Sequence, residues 1–151
     1  LFFSIGIFLN CKTPRKFQKI QPIVPERASL YIIRSLQNPL SLWSYNVEIF
    51  QYKNHYKNDP APMLFKVIRM SNGDFGAFYL PEGFYKIRIK EFQDSERILH
   101  FKKNSENFLH FYIFASSYSK AEVFLKDITK ESALEYLLED IHLNNVESSV
   151  D

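Results

Sequence analysis

The sequence predicts a mainly β fold: a seven- or eight-stranded antiparallel sandwich with one C-terminal α-helix packed on it. Three observations predict it. Aromatic residues make up 17% of the 151-residue chain while glycines number only 4, and aromatic and β-branched side chains fit the half-buried face of a pleated sheet. Residues 43–52 (WSYNVEIFQY) set Trp43, Tyr45, Val47 and Ile49 on one face against Ser44, Asn46, Glu48 and Phe50 on the other, the period of two that a sheet with one buried face imposes. Turn residues recur about every 8–12 positions, the rhythm of a sandwich or barrel.

Taken in order, residues 28–34 (ASLYIIR) form the opening strand, ended by the polar and proline-containing residues 35–39. The alternating strand 43–52 follows, with Trp43 and Tyr45 read as core. Residues 53–62 contain Asn54, Asn58, Asp59 and two prolines and form an exposed loop. Residues 63–70 (MLFKVIRM) are the third strand. Asn72-Gly73 reads as a hairpin turn returning through 75–80, and Pro81-Glu82-Gly83 as a second tight turn into 84–92. Residues 97–102, 107–115 and 121–125 complete the strands.

The period then changes. Thr129 caps a helix running to about Asp140, with Glu131 in its first turn and Ala133, Leu134, Leu137, Leu138 and Ile141 along one face. Residues 28–143 therefore form the domain, and the short acidic segment 144–151 is expected to be a disordered tail. The length suits one core built without disulfides or metal. No internal repeat is present.

Ahead of the domain, residues 1–9 read LFFSIGIFL and stop at Asn10-Cys11, the only cysteine. The run is too short to span a bilayer and matches the apolar core of a secretory signal. A basic start and an initiating Met are absent, so residues 1–10 are read as a signal missing its first residues. Residues 11–27 carry three prolines and five basic side chains against Glu26 alone, a local charge of +4 set beside +2 for the whole chain. That stretch reads as an extended tether, suited to anionic headgroups.

Phe8-Leu9-Asn10-Cys11 resembles the end of a bacterial lipoprotein signal, in the looser form typical of spirochaete lipoproteins. It departs from the usual motif at Phe8, where Leu is common, and at Asn10, where a small residue is common. The resemblance implies that Cys11 is lipidated, that several acyl chains anchor the protein, and that it lies in the cell envelope on the far side of a membrane from the cytoplasm. A second resemblance covers most of the domain. The stretch NGDFGAFYLPEGFYKI, residues 72–87, with the opening strand and ITKESAL at 128–134, is similar to a group of bacterial lipoprotein domains of unknown function related to carboxypeptidase-regulatory and transthyretin-like sandwiches. That resemblance implies a fold and a compartment but no catalytic residue.

Chemistry is sparse. His55, His100, His110 and His142 lack metal-ligand spacing, although His100 and His110 are placed to face each other across neighbouring strands. No serine lies in a nucleophile elbow, and Gly73, Gly76 and Gly83 belong to hairpins rather than to a phosphate loop. Neither an enzyme, a metal or cofactor site, nor a nucleic-acid partner is expected. The expected partners are the bilayer, through acylated Cys11, and an envelope protein or glycan. Tyr52, His55 and Tyr56, in or beside the 53–62 loop, are the candidate ligand contacts, and a peptidoglycan- or glycan-binding module is the alternative reading.

Overall fold

The computed structural model describes residues 17, 19–36, 43–114, 122–139 and 144–146. Strands β1 (Ala28–Ile33), β2 (Tyr45–Gln51), β3 (Met63–Met70), β4 (Asp74–Leu80), β5 (Gly83–Ile89), β6 (Phe92–Phe101), β7 (Glu106–Phe114) and β8 (Glu122–Ile128) precede helix α1 (Lys130–Glu139) and the two-residue β9 (Asn144–Asn145). They form two sheets. Sheet A has the order β8-β7-β1-β4-β9 and sheet B the order β3-β2-β5-β6. The predicted sandwich of eight strands with a C-terminal helix is thus the observed architecture.

Between the sheets, alternate residues of strands from both sheets interlock: Leu30, Ile32, Val47, Ile49, Phe78, Leu80, Ile87, Leu109 and Phe111 are all buried in one cluster. The other side of sheet A carries a second cluster, in which Tyr31, Ile33, Phe75 and Phe108 are covered by Ala133 and Leu137 of α1. The helix starts where Thr129 Oγ1 accepts a hydrogen bond from Ser132 N at 3.2 Å, the capping geometry expected of that residue. Of the predicted apolar stripe, Ala133 and Leu137 are buried but Leu138 is exposed, and Ile141 lies outside the described residues.

The segment ahead of β1 is also held to sheet A rather than free along its length. Phe17 sets its ring edge-on to Phe75 with centroids 5.6 Å apart. Tyr31 Oη accepts from Gln21 N at 2.8 Å, and Tyr79 Oη donates to Pro22 O at 3.2 Å. Sheet A is therefore covered on its outer side by α1 and by the incoming chain, and sheet B has no such cover among the described residues.

Several details differ from the sequence reading. The Asn72-Gly73 turn and Pro81-Glu82-Gly83 are not hairpins, because β4 belongs to sheet A while β3 and β5 belong to sheet B. Both turns are arches between sheets. Gly73 has a φ of 77°, a conformation that glycine adopts without steric cost. Tyr85 Oη donates to Pro81 O at 3.0 Å and braces the second arch, as tyrosine corners do in other sandwiches. A hairpin does join β5 to β6 across Lys90-Glu91, so β6 begins at Phe92 rather than near Arg97.

The pairing is not wholly antiparallel: β1 runs parallel to β7, with Tyr31 opposite Phe108. Trp43 is not core; it precedes β2 and is 58% exposed. Residues 144–146, expected in the tail, are instead ordered: Asn144–Asn145 pair in parallel with β4 and Val146 N donates to Phe75 O at 2.7 Å, and the rest of the expected tail lies outside the described residues. Each of these differences concerns which chain meets which, a choice that local periodicity does not encode.

Arg34 is the most deeply buried charged side chain among the described residues. It is 1% exposed, donates from Nη1 to Met70 O at 2.7 Å, and lies 5.1 Å from the ring centres of both Tyr45 and Phe111. Burial lowers its pKa, opposed by Tyr45 and by the Asp74 carboxylate. Burial in turn raises Asp74, against the pull of its hydrogen bond from Ser71 N and of Arg34.

Candidate functional site

The uncovered face of sheet B gathers a patch of rings. In the β2–β5–β6 ladder, Phe84 sits opposite His100, so both point outward, and their rings stack with centroids 4.4 Å apart. The loop after β2 brings His55 against Phe84 at 4.5 Å and Tyr56 against Phe84 at 5.5 Å. His55 and Tyr56 stack on each other at 4.7 Å. Two of the three predicted contact residues, His55 and Tyr56, thus meet on a common surface.

Loop geometry fixes that surface. Asp59 accepts from Lys53 N at 2.8 Å and from Ala61 N at 3.4 Å, closing the loop on itself. His55 Nδ1 accepts from Lys57 N at 3.2 Å. With Nδ1 acting as acceptor, the neutral ring carries its proton on Nε2.

Tyr52 plays another part. It is 7% exposed and its N donates to Phe84 O at 3.0 Å, extending the β2–β5 ladder by one residue. Its ring lies edge-on to Tyr56 at 6.4 Å. Burial raises the phenol's pKa, helped by the Glu96 and Asp59 carboxylates. Tyr52 supports the patch from beneath, and the members the sequence reading missed are Phe84 and His100. The alternation of residues 84–90 could have placed Phe84 on the outer face, but pairing it with His100 requires knowing the β5–β6 register.

Next to the rings the same face carries charge. Lys86 Nζ and Arg88 Cζ lie 5.1 and 4.9 Å from the Phe50 ring centre. Arg88 Nε donates to Glu48 Oε2 at 2.8 Å and Lys86 Nζ lies 3.5 Å from Glu96 Oε2. Each cation has a carboxylate partner, so the face offers aromatic surface and hydrogen-bonding groups rather than a net charge. Such a combination suits the apolar face and hydroxyls of a sugar ring.

The remaining histidine makes a separate arrangement. His100 and His110 do not face each other: one is on β6 of sheet B, the other on β7 of sheet A. His110 is buried, with Nε2 hydrogen-bonded to Ser35 Oγ at 2.9 Å and its ring stacked on Tyr136 of α1 at 4.2 Å and on Tyr112 at 5.3 Å. Burial, with Lys126 adding to it, pushes the imidazole down to about 4. A serine–histidine pair resembles a nucleophile and its base, but an effective base titrates near the working pH and is oriented by a third group. His110 titrates far lower, and among the described residues no carboxylate bonds it. The contact ties β7, α1 and the end of β1 together.

The described residues bring together no three side chains able to hold a metal, and no described helix is long and apolar enough to cross a membrane. Cys11, the predicted lipidation site, lies outside the described residues, as does His142. No family model, curated protein or solved structure matches the chain.

Proposed function

We propose that this chain is a noncatalytic envelope lipoprotein, held to a membrane through acylated Cys11 and presenting the outer face of sheet B as a binding surface. The observation that carries this reading is the layout of the amino-terminal third: an apolar run, a lone cysteine, a basic stretch, and then a self-sufficient sandwich. The docking of Phe17 on sheet A adds support. From Cys11 to Phe17 there are six peptide steps, which reach at most about 20 Å. An anchor at Cys11 would then lie within that distance of Phe17, which rests on sheet A.

Envelope fractionation tests the anchor. Wild-type chain is expected to stay with the membranes through a high-salt wash and Cys11→Ala to be released; retention of both to the same extent counts against the anchor.

A second reading, a glycan- or peptidoglycan-binding module, is favoured by the His55, Tyr56, Phe84 and His100 cluster. Pull-down with purified peptidoglycan tests it. Binding is expected to fall at least tenfold in the doubly substituted His55→Ala, Tyr56→Ala chain, whose altered residues lie on the surface, and unchanged binding would sink this reading.

A further inference from the structure

The rings of the sheet B patch come from two sources that need a common frame. Phe84 and His100 are set by the β5–β6 register. His55 and Tyr56 lie instead in the connection between β2 and β3, beyond the last ladder pair, Gln51 with Met63. A loop keeps the His55 ring 4.5 Å from Phe84 only where something ties that loop to the strands. Local contacts do part of this. Asn58 N donates to His55 O at 2.9 Å and Lys57 N to His55 Nδ1 at 3.2 Å, and both orient the imidazole within its own loop. Neither bond reaches a strand.

Asp59 supplies the tie. Its Oδ2 accepts from Lys53 N at 2.8 Å and its Oδ1 from Ala61 N at 3.4 Å. Lys53 directly follows Tyr52, whose N donates to Phe84 O at 3.0 Å. The far limb of the loop is thus fastened, through one carboxylate and one strand-end residue, to the backbone of the very residue on which the His55 and Tyr56 rings pack. Hydrogen bonds to an ionised acceptor are about twice as strong as neutral ones. Pro60, which fixes its own φ and restricts the residue before it, stiffens the backbone that carries this carboxylate.

We infer that Asp59 is the positioning residue of the patch: its carboxylate holds the loop so that the His55 and Tyr56 rings are set against Phe84 before a ligand arrives. Each of its oxygens is occupied by a backbone N–H, so its part is played through the rings. A surface ordered beforehand avoids the cost of ordering a loop on binding. That a glycan is what binds rests on the second reading above; the positioning of the rings does not.

The test follows the histidine ring protons of the full chain by NMR in mild detergent, since a neighbouring aromatic ring displaces their signals. His110, in sheet A, reports that the domain is folded, and His100 that Phe84 is in place. In Asp59→Ala the His55 signals are expected to move toward those of an unstacked histidine while the His110 signals stay. Binding to purified peptidoglycan is expected to fall about tenfold, the equivalent of one charge-assisted hydrogen bond. Asp59→Asn, which keeps one oxygen acceptor, is expected to recover part of both. His55 signals that do not move in Asp59→Ala overturn the inference, and so do displaced His55 signals with undiminished binding. His110 signals that move as well mark a residue the whole domain needs, and overturn it too. A wild-type chain that binds no peptidoglycan overturns the glycan reading instead, and the His55 signals alone then decide the part played by Asp59.

Discussion

His110 of β7 stacks on Tyr136 of α1 with ring centroids 4.2 Å apart and shares a hydrogen bond with Ser35, so one buried imidazole joins the helix, the sheet and the end of β1. Its folded pKa is about 4, against an ordinary value of about 6.5. Above pH 6.5 the ring is neutral whether the chain is folded or not. Between those values the unfolded chain binds a proton that the native chain refuses, so stability falls as pH drops from about 6.5 to about 4, by roughly 3 kcal/mol. Urea unfolding at pH 7.5 and 4.5 measures it. His110→Phe, which keeps a ring against Tyr136, is expected to lose most of that difference.

Tyr52 and His55 should separate support from surface. Tyr52→Ala removes a buried ring and is expected to destabilise the domain by about 3–5 kcal/mol. His55→Ala, at an exposed position, is expected to change stability by under about 1 kcal/mol. Thermal melts of the two variants distinguish these roles, and a small effect at Tyr52 would contradict its placement beneath the patch.

Tyr85 Oη, donating to Pro81 O at 3.0 Å across the second arch, sits in a fully buried side chain. Tyr85→Phe keeps the ring and removes the donor. The expected cost is about 1–2 kcal/mol, measured by chemical denaturation with an unchanged m-value.

At Gly76 a Cβ atom would come within 2.4 and 2.7 Å of the Phe78 ring, which is itself buried between the sheets. Gly76→Ala must push that ring out of place. The expected cost is about 1–3 kcal/mol, and crowding relieved by Phe78→Leu in the same chain should recover part of it.

Much of this fold was legible because strands announce themselves locally. The alternation over residues 43–52, the tight turns and the change of period at Thr129 each depend on neighbours within a few positions. Sheet membership does not: Asn72-Gly73 reverses the chain equally well within a sheet or between two, and only the burial of Phe78 and Leu80 beside Leu30 and Ile32 decides it. Trp43 continued the alternation on paper but lies beyond the last ladder pair, Tyr45 with Met70. The candidate site divides in the same way. His55 and Tyr56 were legible from an aromatic loop, whereas Phe84 and His100 join them only through a cross-strand register. The Ser35–His110 contact spans 75 residues and leaves no local trace.

The most direct measurement is the intact mass of the mature chain recovered from membranes. The proposed anchor requires a chain beginning at Cys11 and heavier than its polypeptide by a diacylglyceryl group, with or without a further acyl chain, and an unlipidated product from Cys11→Ala. A wild-type chain whose mass equals that of its polypeptide alone would contradict membrane attachment through Cys11.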